Sequence, residues 1–563
     1  MQKERLVEIR NLSIAFEREG EWNEVVSGID LDINRGETLG MVGESGSGKS
    51  VSSLAIMGLL PGKKSRISSG EIIFDGVDLL SIGPNEHRRI RGRRIAMIFQ
   101  EPMTSLNPTK RCGHQVEEAI LVYNSISRKQ AKKRVLELFE EVRLPNIERI
   151  YRAYPHELSG GQKQRVMIAM ALSCNPELLI ADEPTTALDV SVQNSILELL
   201  KNIQTKHGIS ILFITHDLGV IRQIADRVAV IYRGEIVEEG LAKDIFNSPR
   251  QPYTQGLISS RPPIDSRPRR LVTVQDFLGD KNIETDLITK EEREGIHKEI
   301  YSNPPLLSIK DLEVEFIIKK SLLGRTKSSI RAVDSISFDL YKGETLGLVG
   351  ESGCGKTTVG RSIMNLIDSS LGRVEIDGIN LLDLKGKELR EYRKKVQIIF
   401  QDPYSSLNSR ISIGNAISEA MTVHNMYGSR KERKEKTIEL LKKVGLEEEH
   451  YNRYPHEFSG GQRQRIGIAR ALSINPEIVI CDESVSALDV SVQAQVLNLI
   501  NDLKRDFGFT CIFISHDLSV VKYMSDRILV MEKGRLVELD EADKVYYSPK
   551  SEYTSRLIES IPL

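Results

Sequence analysis

Cysteine is scarce in this chain of 563 residues, and the five that occur form no C-x-x-C pair. This scarcity argues against a disulfide framework, a zinc site or an iron–sulfur cluster, and it is typical of a reducing compartment. No run of about 18 apolar residues exists, so we expect no segment that spans a bilayer alone. The first residues, MQKERLVEIRNLS, lack an apolar core, so we expect no signal peptide.

An excess of charge of either sign is also missing. The formal net charge is −1, so no surplus of basic residues indicates a nucleic-acid partner. Apolar residues make up 40% and charged residues 28%, which is an ordinary globular balance. The length is too great for one domain and predicts several folding units.

A long internal repeat dominates the sequence. YPHELSGGQKQRVMIAMALSCNPELLIADEPTTALDVSVQ (154–193) returns 300 residues later as YPHEFSGGQRQRIGIARALSINPEIVICDESVSALDVSVQ. The period is too long for a solenoid and indicates duplication of a whole domain. We therefore predict a first domain at 1–261, a linker at 262–304 and a second domain at 305–563.

The linker differs in composition from the two halves. RPPIDSRPRR and SNPP are rich in proline, which punctuates a chain. ITKEEREGIHKEIY predicts a short charged helix. We interpret the segment as a solvated linker, and its role stays open.

Each half contains a glycine-rich octet, GESGSGKS (43–50) and GESGCGKT (350–357), after an apolar run that predicts a buried strand. Strand, G-x-x-x-x-G-K-[ST] and helix together indicate a P-loop; a chance glycine-rich turn is the weaker alternative because the context occurs twice. The backbone N–H groups would wrap phosphate and the lysine would reach it. The candidate nucleotide-binding residues are Gly43, Glu44, Ser45, Gly46, Ser47, Gly48, Lys49 and Ser50, and Gly350, Glu351, Ser352, Gly353, Cys354, Gly355, Lys356 and Thr357.

Adjacent acidic residues follow a second apolar run in each half, ELLIAD in the first. Asp182 and Asp482 are candidate Mg²⁺ ligands together with Ser50 and Thr357 of the P-loops. Glu183 and Glu483 are candidate bases for an attacking water. The alternative is that these acids merely cap a turn, which is less attractive beside a P-loop.

A histidine ends a third apolar run in each half, ISILFITH and FTCIFISH. A histidine at a strand end is usually structural. Here His216 and His516 lie where parallel α/β sheets gather their active sites, so we predict contact with the γ-phosphate.

A second turn of small residues opens a helix in each half, LSGGQKQR in the first. Such a turn at a helix N-terminus suits phosphate. Because one nucleotide needs only one P-loop, this turn suggests contact with a different nucleotide. The residues are Ser159, Gly160, Gly161 and Gln162, and Ser459, Gly460, Gly461 and Gln462.

Together these motifs resemble the ATP-binding-cassette (ABC) superfamily over nearly everything outside the linker. The resemblance implies an α/β fold with two tandem P-loop NTPase cassettes, each with a RecA-like parallel-sheet core, an antiparallel β subdomain and a helical subdomain. It adds the glutamines of IAMIFQ and VQIIFQ, Gln100 and Gln401, as catalytic and metal-binding residues. It also implies that Phe16 and Phe316 stack on adenine, although either could be ordinary strand core.

In that superfamily two cassettes pair head to tail, and each ATP lies between the P-loop of one and the signature turn of the other. The resemblance therefore implies ATP and Mg²⁺ as cofactors and a pseudo-dimer within one chain. Ser484 stands where the first half has Pro184, but no catalytic group is missing. We predict two hydrolysing sites.

The stretch after each glutamine, EPMTSLNP or DPYSSLNSR, and the tails SPRQPYTQGLISS and SPKSEYTSRLIES resemble the peptide and nickel importer branch. The resemblance implies an ATPase motor on the cytoplasmic face of the membrane, with two permease subunits and an extracytoplasmic solute-binding protein. Peptides or peptide-like compounds are the expected cargo. Residues 261–304 contain no cysteine, unlike the cysteine cluster of many relatives.

Other functions stay open at this point. A soluble twin-cassette translation factor acting on ribosomes is the main alternative, although such proteins usually have a long basic linker. An importer for nickel or another small solute is a second. A DNA-repair ATPase would need a coiled-coil or zinc insertion that is missing, and we expect no nucleic-acid partner.

Overall fold

The computed structural model describes residues 4–18, 20–100, 105–186, 188–279, 286–320, 326–486 and 488–561. The first half contains, in chain order, β1 (Arg5–Arg18), β2 (Glu21–Asn34), β3 (Thr38–Val42), α1 (Lys49–Ile56), β4 (Ser65–Phe74), β5 (Val77–Asp78), α2 (Pro84–Ile90), β6 (Ile95–Ile98), α3 (Cys112–Tyr123), α4 (Arg128–Glu141), α5 (Ile147–Arg152), a 3₁₀ turn (Pro155–Glu157), α6 (Gly160–Leu172), β7 (Leu178–Asp182), α7 (Val190–His207), β8 (Ser210–Thr215), α8 (Leu218–Ile224), β9 (Arg227–Tyr232), β10 (Glu235–Leu241), α9 (Ala242–Asn247) and α10 (Pro252–Ser259).

Two helices, α11 (Val274–Leu278) and α12 (Lys290–Tyr301), lie between the halves. The second half contains β11 (Pro305–Lys320), β12 (Thr326–Tyr341), β13 (Thr345–Val349), α13 (Lys356–Ile363), β14 (Leu371–Ile376), β15 (Ile379–Asn380), a 3₁₀ turn (Leu381–Asp383), α14 (Gly386–Lys395), β16 (Val396–Ile399), α15 (Pro403–Ser406), α16 (Ile413–Val423), α17 (Arg430–Lys443), two 3₁₀ turns (Glu448–Asn452 and Pro455–Glu457), α18 (Gly460–Leu472), β17 (Ile478–Asp482), α19 (Val490–Phe507), β18 (Thr510–Ile514), α20 (Leu518–Met524), β19 (Arg527–Glu532), β20 (Arg535–Glu541), α21 (Ala542–Tyr547) and α22 (Glu552–Glu559).

A six-stranded sheet forms the centre of each half, in the order β10-β9-β3-β8-β7-β6 and β16-β17-β18-β13-β19-β20. Five strands are parallel, and only the last hairpin strand is antiparallel. Every residue of β3 and β7 is buried, as expected for strands covered on both faces. The carboxyl ends of β3, β7 and β8 therefore bring the P-loop and the second and third motifs to one edge.

A four-stranded antiparallel sheet lies beside each core, in the order β2-β1-β4-β5 or β12-β11-β14-β15. The helical subdomain of the first half is built around α3, α4 and α6, whose apolar faces share one core, including Val116, Leu138 and Phe139. The three predicted parts of each cassette are thus confirmed.

The segment between the halves is anchored to the second half. The predicted charged helix is present as α12. Leu271 is buried, and its backbone N–H and C=O both pair with the Asn498 side chain, each at 2.8 Å. Arg293 is also buried and forms ion pairs with Glu541, at 2.9 Å, and with Asp543. The interpretation as a solvated linker is wrong for these residues, while the boundaries at 261/262 and 304/305 stay predictions.

None of the helices that the structure describes combines the length and apolar character needed to cross a membrane.

We predict that Asn498→Ala loosens the segment between the halves. Two buried backbone groups of Leu271 lose their partner, which costs roughly 2 kcal/mol or more of unfolding free energy. Denaturant unfolding measures this loss, and hydrogen exchange at residues 271–279 should rise. Asn202→Ala, at an exposed position on α7, is the control and should change stability by less than about 0.5 kcal/mol. Equal stability of both variants would contradict the anchor.

Candidate functional site

The first P-loop is shaped by backbone geometry that favours glycine. Gly46 and Gly48 have positive φ angles of 79° and 106°, which only glycine adopts without strain. A Cβ at Gly43 would collide with the carbonyl oxygen of Ile231. The loop therefore turns tightly between β3 and α1, as the sequence predicts.

Lys49 is enclosed by this loop. Its Nζ donates hydrogen bonds to the carbonyl oxygens of Gly43 and Glu44, both at 2.7 Å. Burial lowers the pKa of Lys49, although the carboxylates of Asp489 and Glu183 favour its charged form. Nζ also lies 3.5 Å from Ser47 Oγ. A buried ammonium whose partners are all uncharged is well suited to an anionic ligand.

Two oxygen ligands meet beside the lysine. Ser50 Oγ donates to Asp182 Oδ1 at 3.0 Å. Burial raises the pKa of Asp182 to about 6, against the opposing effect of the serine. Carboxylate and hydroxyl oxygens are the ligands that Mg²⁺ prefers, so the residues present fit this ion.

Glu183 is the centre of a hydrogen-bond network. Gln100 Nε2 donates to Glu183 Oε2 at 2.7 Å, and His216 Nδ1 lies 3.1 Å from Oε1. Burial by itself would raise the pKa of Glu183, but the bond and charge of His216, with the Thr186 hydroxyl, lower it to about 2. Its backbone has a positive φ of 47°, a strained conformation that tends to occur at functional sites. The structure thus brings together three residues predicted separately.

The second half repeats this arrangement. Lys356 Nζ donates to the carbonyl oxygens of Gly350 and Glu351 at 2.7 and 3.0 Å. The remaining equivalent distances are 2.8 Å for Thr357 Oγ1 to Asp482 Oδ1, 2.8 Å for Gln401 Nε2 to Glu483 Oε2 and 3.7 Å for His516 Nδ1 to Glu483 Oε2. The pKa of Glu483 is again lowered, because His516 outweighs burial. Both halves therefore hold the same set of candidate catalytic groups.

The two halves touch at the first P-loop. Ser45 donates its backbone N–H and its hydroxyl to the two carboxylate oxygens of Asp489, each at 3.0 Å. Asp489 also lies 4.0 Å from His216. A residue of the second half thus faces the candidate catalytic groups of the first.

The equivalent residues at the second P-loop do not make the same contact. Asp189 caps its own helix α7, accepting from Val192 N at 2.9 Å and from Ser191 Oγ at 2.8 Å. It lines a cavity with Gly350, Glu351 and His516. The structure gives Ser352 no hydrogen bond to Asp189 within the described residues. The two places where an aspartate of one half faces the P-loop of the other, called the two seams, are therefore not equivalent.

Both signature turns cap a helix. Ser159 Oγ accepts from Gln162 N, and Ser459 Oγ accepts from Gln462 N, each at 3.3 Å. Both serines are exposed. Within the described part of the chain no hydrogen bond joins either serine to the opposite P-loop. The ATP sandwich across the two halves therefore stays a prediction.

The two candidate adenine-stacking residues occupy different surroundings. Phe16 is half-buried and packs against the core beneath the antiparallel sheet. Phe316, on β11, is 44% exposed. Stacking on adenine stays a prediction for both, with the strand-core alternative favoured more at Phe16.

Some contacts were not predicted from the sequence. Asp189 and Asp489 lie in a stretch that is repeated in both halves, and this repetition is the sequence feature that could have indicated a role for them. Tyr253 and Tyr553, in the tails, contact the P-loops. The Tyr-Thr pair that recurs in both tails is the sequence feature that could have indicated these contacts. Residues 101–104, in the segment after Gln100, and residue 187 lie outside the described residues.

Comparison with known protein families decides the classification. A model described as ABC transporter matches residues 26–186 and 333–486. This chain belongs to the ABC transporter family. A second model, described as the C-terminal region of oligopeptide/dipeptide transporters, matches residues 237–280.

Two curated relatives match this ABC protein over nearly its whole length. The glutathione import ATP-binding protein GsiA of Pectobacterium atrosepticum is 45% identical over 570 residues, covering 100% of this chain and 90% of the relative. GsiA of Salmonella typhimurium is 43% identical over 99% of this chain and 90% of its own. A solved dimeric bacterial ABC transporter cassette, MJ0796, is 30% identical over 42% of this chain and 98% of its own, with a TM-score of 0.39.

ATP binding and hydrolysis follow from membership of the ABC family, and the enclosed lysines and paired acids are the groups that phosphoryl transfer needs. These relatives do not favour a ribosome-bound translation factor.

We predict that Asp489→Ala slows ATP hydrolysis by this ABC protein more than Asp189→Ala does. The first change removes two hydrogen bonds to Ser45, whereas the second removes a helix cap and costs about 1 kcal/mol of stability. Steady-state ATPase rates at saturating ATP and thermal midpoints should separate the two effects. Equal loss of ATPase activity would contradict the inequivalence of the two seams.

Proposed function

We propose that this chain is the ATP-hydrolysing motor of a membrane importer for peptides or peptide-like compounds, glutathione among them. The observation that supports it most is that each half holds the same candidate catalytic groups in a chain whose first tail matches the oligopeptide/dipeptide transporter region. The GsiA relatives support a peptide-derived cargo. An importer for nickel or another small solute is the second candidate.

The P-loops and acidic residues would hold the nucleotide. Lys49 and Lys356 exchange their carbonyl partners for phosphate oxygens, and the loop N–H groups surround the anion. Mg²⁺, when bound, neutralises charge on the β- and γ-phosphates. Its proposed ligands are Ser50, Gln100 and Asp182 in the first site, and Thr357, Gln401 and Asp482 in the second.

Glu183 and Glu483 are the proposed bases. Their lowered pKa values keep them ionised at neutral pH, so each can accept a hydrogen bond from the attacking water and orient it in line with the γ-phosphate. Gln100 and His216, which already contact Glu183, fix its direction. In-line orientation and fixed charge supply most of the catalysis in phosphoryl transfer.

Closure of the two cassettes would complete each site. The exposed signature turns Ser159–Gly161 and Ser459–Gly461 would move onto the γ-phosphate at the opposite P-loop, where a helix N-terminus favours an anion. ATP would then stabilise the closed state, and hydrolysis would release it.

Two transmembrane permease subunits are the proposed partners. They would convert closure into transport at the cytoplasmic face of the membrane, and an extracytoplasmic solute-binding protein would deliver the cargo to them. The stretches that follow Gln100 and Gln401 are the proposed docking surface.

We predict that the double variant Glu183→Gln, Glu483→Gln retains ATP and loses hydrolysis by at least about 100-fold, because amides cannot act as bases. Binding of a fluorescent ATP analogue and release of phosphate should be measured together. Glu198→Gln, an exposed glutamate, is the control. Brisk phosphate release by the double variant would refute the assignment.

The cargo can be tested in a strain that lacks this gene. Uptake of labelled glutathione, a dipeptide and nickel should be compared with uptake after restoring the wild-type chain or the double variant. Restoration of glutathione or dipeptide uptake by the wild type alone supports the proposal. Restoration of nickel uptake alone would favour the second candidate, and copurification with ribosomes instead of permeases would overturn both.

A further inference from the structure

A tyrosine from the tail of each cassette reaches the P-loop of the same cassette. The backbone N–H of Glu44 donates to Tyr253 Oη at 3.1 Å, and that of Glu351 donates to Tyr553 Oη at 3.1 Å. Both side chains are buried, 3% and 7% exposed. The same contact at the same distance therefore occurs twice, although the tails SPRQPYTQGLISS and SPKSEYTSRLIES differ at six of their 13 positions.

The residue that each tyrosine binds also binds the P-loop lysine. Tyr253 fixes the N–H of Glu44, while the carbonyl of Glu44 accepts from Lys49 Nζ at 2.7 Å. In the second half the carbonyl of Glu351 accepts from Lys356 at 3.0 Å. Glu44 and Glu351, the second residues after β3 and β13, are thus each held on both sides, by the tail tyrosine and by the lysine.

Burial keeps both tyrosines in the right form for this contact. It raises the pKa of Tyr253 above its usual range and that of Tyr553 to about 12, so both hydroxyls stay neutral at physiological pH. A neutral hydroxyl oxygen accepts an N–H bond, and a phenolate beside the acidic side chain of Glu44 or Glu351 would be unfavourable.

The tails lie outside the part of the chain that matches the ABC transporter model, which ends at residues 186 and 486. Each P-loop is therefore supported by a helix, α10 or α22, that lies beyond the matched range, as the core strands β8 and β9 or β18 and β19 also do. In the first half Tyr253 is in turn packed on Tyr232, with ring centroids 4.2 Å apart. The position equivalent to Tyr232 in the second half is Glu532, so the aromatic contact is not what the two halves share.

We propose that Tyr253 and Tyr553 are positioning residues for ATP binding: through one hydrogen bond each, the importer-type tails hold the P-loop and its lysine in the conformation that accepts phosphate. This inference rests on the proposed ATPase function of the same sites. Because the bond is made to the loop and not to the reacting atoms, it should contribute equally to substrate and transition-state binding.

The neighbouring threonines provide matched controls. Thr254 and Thr554 follow the tyrosines directly, and their hydroxyl oxygens are buried without a hydrogen-bond partner among the residues that the structure describes. Replacing threonine by valine and tyrosine by phenylalanine each removes one buried hydroxyl from the same tail. Only the tyrosine change removes a bond to the P-loop.

The test compares Tyr253→Phe and Tyr553→Phe with Thr254→Val and Thr554→Val in the full chain. We expect each phenylalanine variant to raise the KM for ATP about fivefold, the size of one net hydrogen bond, with kcat little changed. The valine variants should leave both parameters near wild type. Equilibrium binding of a fluorescent ATP analogue should weaken by the same factor in the phenylalanine variants alone.

Equal KM values in the phenylalanine and valine variants, or a fall in kcat at constant KM, would overturn the inference. If one phenylalanine variant does not fold, the other half provides the same comparison. Failure of the wild type to hydrolyse ATP would count against the proposed function, while the binding measurement would still decide the role of the tyrosines.

Discussion

The candidate nucleotide site of each half depends on a buried ammonium group held by backbone carbonyls. Removing a charged lysine from water is unfavourable unless other groups replace the solvent. Gly43 and Glu44 in the first half, and Gly350 and Glu351 in the second, supply that replacement at 2.7 to 3.0 Å. Carbonyl oxygens carry only partial charge, so the site keeps an affinity for a full anion. Three features keep this charge buried and accessible to an anionic ligand. They are the tight turn, the helix that begins at the lysine and the carboxylates across the loop.

Parallel strand geometry explains why the other catalytic groups gather around that lysine. β8 lies beside β3, and β7 lies beside β8 in the core sheet. The last residues of β7 and β8 lead into Glu183 and His216, respectively. Strands that run in one direction deliver their following residues to one edge. Groups that are 83 residues apart in the chain are thereby brought within hydrogen-bond distance, as the contact between Gln100 and Glu183 illustrates.

The two cassettes are similar in sequence but unequal in their surroundings. The segment between the halves is fastened to the second cassette by Asn498 and by the acidic partners of Arg293. The contact of Asp489 with Ser45 is made at one seam only among the described residues. A duplicated chain thus gains an asymmetry that a dimer of identical cassettes lacks, because only one cassette is followed by the connecting segment.

The sequence alone determined the fold class and the chemistry of each half, because strand, loop and helix patterns and the P-loop spacing are local. The charged helix 290–301 was also predictable from its composition. Tertiary structure decided what the patterns do not encode. The stretch LDVSVQ is identical in both halves, yet Asp189 caps its own helix while Asp489 bonds across the seam. The burial of Leu271 and the reach of Tyr253 to Glu44 likewise depend on partners more than 200 residues away in the chain, and no local pattern specifies such a partner.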